Sequence, residues 1–227
     1  MSEERTLLHM IDNRDKLIAS AVKGRSFVDV GPLWLTQHEK LSVANQYGAS
    51  SIAALDQFPK SSEWWKKLRD KLDFPYDEIS VDLMEYKGSF DVVYCSGVLY
   101  HAPCPLTTLQ KLYSMTDEVL ILTTIYTEDV LESPFGCLEI PSSGMLFLPA
   151  LTSLEFSIVK HVMSDTTPPQ VWGVTEHVPP ERWQYNSWYW WWLFTMNCVE
   201  AMIKVVNFRI TQKIVQPGHM VTFKLEK

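Results

Sequence analysis

Residues 88–124 read GSFDVVYCSGVLYHAPCPLTTLQKLYSMTDEVLILTT, and this stretch decides the fold. Residues 90–94 are an apolar, β-branched run, which is typical of a strand buried on both faces of a parallel sheet. Small residues end that run, and Pro105 suits the first turn of a following helix. Residues 119–122 read as a second buried strand. Tyr100 and His101 then fall just past the carboxyl end of a central strand, where open α/β sheets bind ligands.

Length and composition indicate one α/β domain. The chain has 227 residues, 46% of them hydrophobic and 21% charged, which is enough for one full core but not for two ordinary domains. We expect a single domain over residues 1–227, with residues 1–24 as a helical cover at one sheet edge. That helix is either a plain cover or part of a substrate entrance.

Charge and cysteine usage exclude several classes of function. A net charge of −7 argues against a general polyanion binder, because phosphate contacts need clustered Lys and Arg. The basic cluster at residues 66–71 is either a solvated helix face or a local nucleic-acid contact. The four cysteines form no C-x-x-C pair, so we expect buried, reduced thiols in a cytoplasmic protein.

Neither a membrane span nor a metal site is expected. The N-terminal ten residues are acidic where a secretory signal would be basic. Residues 188–206 are apolar but contain Asn197, Glu200 and Lys204, so they predict a buried amphipathic helix. The six histidines show no ligand spacing with carboxylates.

Residues 90–112, FDVVYCSGVLYHAPCPLTTLQKL, resemble the segment F-D-x-V-x-x-x-G-V-L-Y-H-x-x-x-P-L-x-x-L of class I S-adenosylmethionine-dependent methyltransferases. The resemblance extends to the branch that includes the tRNA wobble-uridine carboxymethyltransferase. It implies a Rossmann-like doubly wound α/β sheet of seven strands with helices on both faces. The last two strands, residues 209–215 and 220–225, would form an antiparallel C-terminal hairpin. The resemblance also implies S-adenosyl-L-methionine as cofactor.

The first cofactor loop departs from the family pattern. Residues 26–31 predict the first strand, and the family's D-x-G-x-G-x-G motif is represented by Asp29 and Gly31 alone. Pro32 and Leu33 follow where glycines would let backbone amides approach the ligand. The pattern Thr36-x-x-Glu39 has the form of a capping box, so a helix is expected to begin right after Thr36.

Two acids follow the next two predicted strands, residues 51–55 and 79–81. By the resemblance, Asp56 holds both ribose hydroxyls and Asp82 binds the adenine amino group. One carboxylate can accept two hydroxyl hydrogen bonds, although an Asp in this position can also simply form a turn. The remaining cofactor residues expected from the resemblance are Pro32, Gln57, Leu83, Cys95, Ser96 and Gly97.

Residues 125–187 interrupt the alternation of strands and helices with aromatic and proline residues. Long insertions of this kind are usually lids or binding loops, but a structural cap over one sheet face is equally consistent with the composition. Residues 146–148 and 156–159 are predicted to be short strands. The expected acceptor-binding residues in and beside this insertion are Tyr126, Asn186, Trp188 and Trp190.

The resemblance implies methyl transfer to a nucleophile held in line with the sulfonium. His101 has a suitable ordinary pKa for a general base, and Tyr100 could orient the substrate. His101 could also be a hydrogen-bonded loop residue. Three functions stay open: methylation of a small molecule at oxygen or nitrogen, methyl or carboxymethyl transfer to RNA or protein, and a non-catalytic domain with a degenerate cofactor loop. Oligomeric state is not predicted.

Overall fold

The computed structural model describes residues 13–33, 36–163 and 190–227, and its centre is a seven-stranded sheet in the order β3-β2-β1-β4-β5-β11-β10. Strands β1 to β5 are parallel, while β11 runs antiparallel to both β5 and β10. The predicted Rossmann-like sheet with a C-terminal hairpin is therefore confirmed. The bounds are β1 Ser26–Val30, β2 Ser51–Asp56, β3 Asp77–Ser80, β4 Phe90–Ser96, β5 Thr116–Ile125, β10 Arg209–Gln216 and β11 Met220–Glu226.

Helices cover both faces of this sheet, because strand residues alternate between two apolar clusters. One face packs against α1, α2 and α3 through residues such as Ile18, Leu41 and Trp65. The other packs against α4 and α6 through residues such as Leu109 and Ile203. The bounds are α1 residues 13–19 within the described range, α2 Leu41–Gln46, α3 Glu63–Lys71, α4 Pro105–Met115 and α6 Met196–Val205.

The helix expected directly after Thr36 is wrong. Thr36–His38 is a single 3-10 turn, and α2 begins only at Leu41. The carboxylate of Glu39 does not close a capping box with Thr36. It accepts hydrogen bonds from the backbone N–H and the hydroxyl of Ser42, at 2.9 and 2.6 Å, and pairs with Lys71 at 3.0 Å. A cation from α3 thus draws Glu39 away from the predicted cap.

The insertion after β5 builds a small apolar cluster of its own above the carboxyl edge of the sheet. Hairpin β6 Val130–Ser133 and β7 Gly136–Glu139 packs with helix α5, while β8 Met145–Phe147 pairs with β9 Trp192–Phe194. The strand expected at residues 156–159 is wrong, because α5 spans Ser153–Val162. Thr152 and Glu155 form a complete capping box at its start, which fixes a helix where apolar residues alone suggested a strand.

Two further expectations concern the surface. Within the described ranges no helix is long and apolar enough to cross a membrane. All four cysteines are free thiols, as expected, but Cys104 and Cys137 are exposed rather than buried.

Candidate functional site

Four parallel strands end side by side at one edge, and backbone hydrogen bonds hold the loops that follow them in a row. The Gly31 N–H donates to Leu55 O at 2.8 Å, the Val81 N–H donates to Asp56 O at 3.0 Å, and the Gly97 N–H donates to Thr123 O at 3.2 Å. Residues predicted from distant parts of the chain are therefore brought together along one edge: Asp29, Gly31, Asp56, Asp82 and Gly97.

Two glycines shape this edge. Gly31 and Gly97 have φ angles of +79° and +77°, which side chains rarely adopt. A Cβ on Gly31 would lie 3.3 Å from Val98, and one on Gly97 would lie 3.3 Å from the Tyr100 hydroxyl. The loops after β1 and β4 thus approach closely at Gly31 and Val98, and both glycine positions disfavour a side chain.

Asp56 is the last residue of β2, and its carboxylate is held within the edge. The side chain is 7% exposed and accepts hydrogen bonds from the backbone N–H groups of Leu33 and Phe58, each at 3.3 Å. Burial raises the pKa of Asp56 to about 6, and the backbone hydrogen bonds oppose that rise only in part. A carboxylate in this environment gains from any further hydroxyl donors that a ligand brings.

Asp29 lies one residue before the end of β1 and is 3% exposed. Its Oδ2 accepts a hydrogen bond from the backbone N–H of Lys40 at 2.9 Å, which ties the loop back onto the strand. Burial, and to a smaller extent the nearby carboxylate of Glu39, raise the pKa of Asp29 to about 7. Two carboxyl groups at this edge therefore titrate near neutrality.

The other expected cofactor residues differ in exposure. Asp82 is exposed, and its Oδ1 accepts a hydrogen bond from the Met84 N–H at 2.8 Å at the start of the 3-10 turn Leu83–Glu85. Cys95 points into the core, where burial raises the pKa of its thiol. The remaining four lie along the rim in partly or fully buried positions: Pro32, Gln57, Leu83 and Ser96.

An apolar cavity of about 230 Å³ adjoins the Asp82 turn. It is lined by Met84 from that turn and by residues at the start of α4, namely Pro103, Cys104, Thr107 and Thr108. Apolar walls beside a carboxylate suit a flat heterocycle that carries an amino group. The sequence reasoning named none of these lining residues, because an exposed Met after a strand carries no signal of its own.

Tyr100, His101 and Trp190 form an aromatic group at the carboxyl end of β4. The Tyr100 ring lies 4.4 Å from His101 and 4.9 Å from Trp190, which meets it edge to face. Burial raises the pKa of the Tyr100 hydroxyl well above its ordinary value. Tyr126 is half-buried close by, with its ring 6.1 Å from His219. Asn186 and Trp188 lie outside the described residues.

The insertion is attached directly to this group. The Trp191 N–H donates to Tyr100 O at 2.8 Å, and Trp192 Nε1 donates to Pro103 O at 3.3 Å. Tyr100 also packs against the insertion's own apolar cluster. Residues 190–194 and the described part of the insertion therefore lie beside the edge where the expected cofactor residues meet.

A cluster of charged side chains from α1 and the first loop was not predicted. Arg14 is 8% exposed and donates to Tyr94 Oη and Ser96 Oγ, both at 3.4 Å. Lys40 is 2% exposed and pairs with Asp15 at 2.6 Å. Helix α1 thus contributes Arg14 at the end of β4 and Asp15 as the partner of Lys40. The sequence signal that could have revealed this cluster was an arginine within a mostly apolar helical stripe.

The basic cluster of α3 is engaged within the chain. Arg69 pairs with Glu78 at 2.9 Å, Lys71 pairs with Glu39, and Lys67 lies 4.7 Å from the centre of the Trp64 ring. This pattern is typical of a solvated helix face. In the part of the chain that the structure describes, no group of three or more His, Cys, Asp or Glu residues could hold a metal ion.

Comparison with known sequences supports the resemblance seen in residues 90–112. No family model matches the chain. The tRNA U34 carboxymethyltransferase of Sulfurimonas denitrificans is 34% identical over 93 residues, which cover 37% of this chain and 30% of that protein. The match thus spans about a third of the length of that curated relative.

Solved structures match nearly the whole chain at low identity. Magnesium protoporphyrin IX methyltransferase from Synechocystis, solved with bound S-adenosylmethionine, is 13% identical with a TM-score of 0.57, covering 96% of this chain and 78% of that one. The 1,6-didemethyltoxoflavin N1-methyltransferase of Burkholderia thailandensis, solved with its acceptor and S-adenosylhomocysteine, is 11% identical with a TM-score of 0.58, covering 99% and 82%. These likenesses establish the fold, and they confirm the resemblance predicted from the sequence.

Proposed function

Because this chain has the class I S-adenosylmethionine-dependent methyltransferase fold, we propose that it binds S-adenosyl-L-methionine and methylates a small-molecule nucleophile. The observation that carries the proposal is the carboxyl edge itself. Gly31 and Gly97 shape the loops at this edge through their positive φ angles, and the carboxylate of Asp56 is held in a buried position from which it can accept hydroxyl donors. One structural neighbour of this fold, magnesium protoporphyrin IX methyltransferase, is solved with S-adenosylmethionine bound.

The residues fit an adenosyl group in three parts. Asp56 would accept both ribose hydroxyls, because a carboxylate can take two such donors side by side. The free oxygen of Asp82 would accept the adenine amino group, and the apolar cavity beside Met84 would hold the ring. Bound S-adenosylmethionine supplies an activated methyl group, so the chain itself has to position the acceptor and exclude water.

For the acceptor we propose the space beside Tyr100, Tyr126 and Trp190. His101 is the group there that could take a proton from the nucleophile at neutral pH. Replacing His101 by Ala should lower turnover by about 100-fold or more, as expected for a lost general base. Unaltered turnover would remove His101 from this role and leave it as a loop residue.

A small acceptor fits the charge of the insertion. Between residues 125 and 163 the chain carries five carboxylates and one lysine. The carboxylates are Glu128, Asp129, Glu132, Glu139 and Glu155. A wall with this charge would repel a polyphosphate backbone and would accept neutral or cationic molecules.

Calorimetric titration with S-adenosylhomocysteine tests the cofactor site. Asp56→Asn should weaken binding at least about tenfold, because a charged acceptor of two hydroxyls is lost. Asp91→Asn is the matched control at the amino end of β4, where Asp91 accepts hydrogen bonds from Ser26. No binding by the wild-type protein would support a non-catalytic domain instead. Equal binding by the Asp56→Asn variant would refute the ribose assignment.

A second candidate is modification of RNA, and the curated tRNA U34 carboxymethyltransferase relative favours it. A gel-shift titration with unmodified tRNA at two salt concentrations separates the candidates. Salt-sensitive binding at micromolar protein would favour RNA, since released counterions make such binding weaken with salt. Mass spectrometry of small molecules that co-purify with the protein would identify the acceptor class directly.

A further inference from the structure

The guanidinium of Arg14 is a buried cation that has no carboxylate partner among the residues that the structure describes. Its Nη1 makes two long contacts with the neutral oxygens of Tyr94 and Ser96, and its Nε has no hydrogen-bond partner in the same part of the chain. The adjacent carboxylate, Asp15, is bound to Lys40 instead. A buried arginine is costly without an anionic partner, and the described residues supply none, so this environment favours an anionic ligand.

His38 supplies a second buried polar atom at the same place. Its Nδ1 has no partner within the described ranges. Burial lowers the pKa of His38, and the positive charge of Arg14 lowers it further, so both effects favour the neutral imidazole. A neutral imidazole can still donate one hydrogen bond. Two segments far apart in the sequence thus carry buried polar atoms without a partner in the described ranges, and they are close enough for Arg14 to act electrostatically on His38.

The first cofactor loop leaves this region without the backbone donors that glycines would provide. The Gly31 N–H is bound to Leu55 O, and the Leu33 N–H is bound to the carboxylate of Asp56. Pro32, between them, has no N–H at all. These three positions therefore offer no free amide to a ligand carboxylate, and side chains have to serve in their place.

We propose that Arg14 and His38 bind the carboxylate of the methionine part of S-adenosylmethionine, replacing the amides that the altered loop cannot offer. This inference rests on the proposed function. Arg14 contacts Tyr94 and Ser96 at the end of β4, and β4 pairs with β1 so that Tyr94 lies beside Asp29. The carboxylate would thus sit past the ends of β4 and β1, and β2, which carries the Asp56 ribose position, is the next strand after β1.

Two ligands that differ only in the amino acid part test this assignment. S-adenosylhomocysteine carries the carboxylate, whereas 5′-methylthioadenosine has the same adenosyl group without it. Arg14→Gln should weaken S-adenosylhomocysteine binding by about 10- to 100-fold and leave 5′-methylthioadenosine binding unchanged. His38→Ala should weaken the first ligand by about two- to tenfold. Arg25→Gln is the matched control, because Arg25 is half-exposed at the amino edge and pairs with Glu118.

Each outcome separates this inference from the proposed function. If Arg14→Gln weakens both ligands equally, or neither, the carboxylate assignment is overturned while the adenosyl site stands. If the wild-type protein binds neither ligand, the proposed function itself fails. The melting temperature of the ligand-free Arg14→Gln variant should equal or exceed that of the wild type, because a buried unpaired charge is removed. If that variant does not fold, Arg14→Lys provides the same comparison of ligands with the positive charge retained.

Discussion

Replacing Asp29 by Asn should make the protein more stable at pH 8 and change its stability little at pH 4. Asp29 is buried, and its carboxylate makes one hydrogen bond with the backbone N–H of Lys40. An asparagine oxygen can accept that bond equally well. The substitution therefore removes the charge and its desolvation while keeping the contact.

The magnitude follows from the pKa of Asp29, which burial raises from an ordinary value of 3.8 to about 7. Below pH 3.8 the carboxyl is protonated in both the folded and the unfolded state, so it does not lower the free energy of unfolding. Between pH 3.8 and about 7 the unfolded chain loses its proton first, and the free energy of unfolding falls. Above pH 7 the full penalty of about 4 kcal/mol applies, at about 1.4 kcal/mol per pKa unit.

Urea denaturation followed by tryptophan fluorescence measures this difference at pH 4, 6 and 8. The gain in the Asp29→Asn variant should grow with pH and level off above pH 7. Asp91→Asn is an opposite-sign control, because hydrogen bonds from Ser26 lower the pKa of Asp91. That variant should lose stability at neutral pH and regain it in acid. A gain at Asp29 that is equal at pH 4 and pH 8, or absent at pH 8, would contradict the reasoning.

Three further predictions concern the edge and its supports. Gly97→Ala should cost about 1–3 kcal/mol in urea denaturation, because its φ of +77° strains any side chain and the new Cβ meets Tyr100. Affinity for S-adenosylhomocysteine should fall as the pH drops below about 6, because the carboxyl of Asp56 must be charged to accept both hydroxyls. Calorimetric titration at pH 5 and pH 8 measures this fall in affinity. Lys71→Met should destabilise the fold by about 1–3 kcal/mol, because it leaves the carboxylate of Glu39 buried without its cation. Lys67→Met, on the exposed part of the same helix, should cost less than about 0.5 kcal/mol in the same assay.

The central strands β1, β2, β4 and β5 could be anticipated because burial leaves apolar runs that end near polar residues, whereas the sheet as a whole was implied by the family resemblance. Asp56 and Asp82 mark two such ends, and their convergence follows from the parallel sheet. Helix α4 was equally readable, since Pro105 marks its first turn. These features depend on residues that are close together in the sequence, so they can be recognised from a single sequence.

The rest depends on contacts between distant segments. The capping pattern at Thr36 failed because Lys71 holds Glu39 from another helix, and no local pattern records that pair. The prediction of a strand at residues 156–159 was wrong because an apolar run of four residues fits both the two-residue period of a strand and the 3.6-residue period of a helix. Arg14 was missed because its importance comes from residues 80 and 82 positions later in the chain. The assignment of the individual site residues to cofactor and acceptor stays a prediction.

Thr127 and Thr195 lie opposite each other in a short bridge, and the Thr127 N–H donates to Phe194 O at 2.7 Å. The chain therefore leaves the end of β5 and returns next to it at Thr195, directly before helix α6. An excursion closed in this way can gain, lose or exchange residues without moving the strands beneath it. Under the proposed function, a chimera joined at these two threonines would exchange the segment between them while keeping the strands, and a changed acceptor preference would be its expected effect.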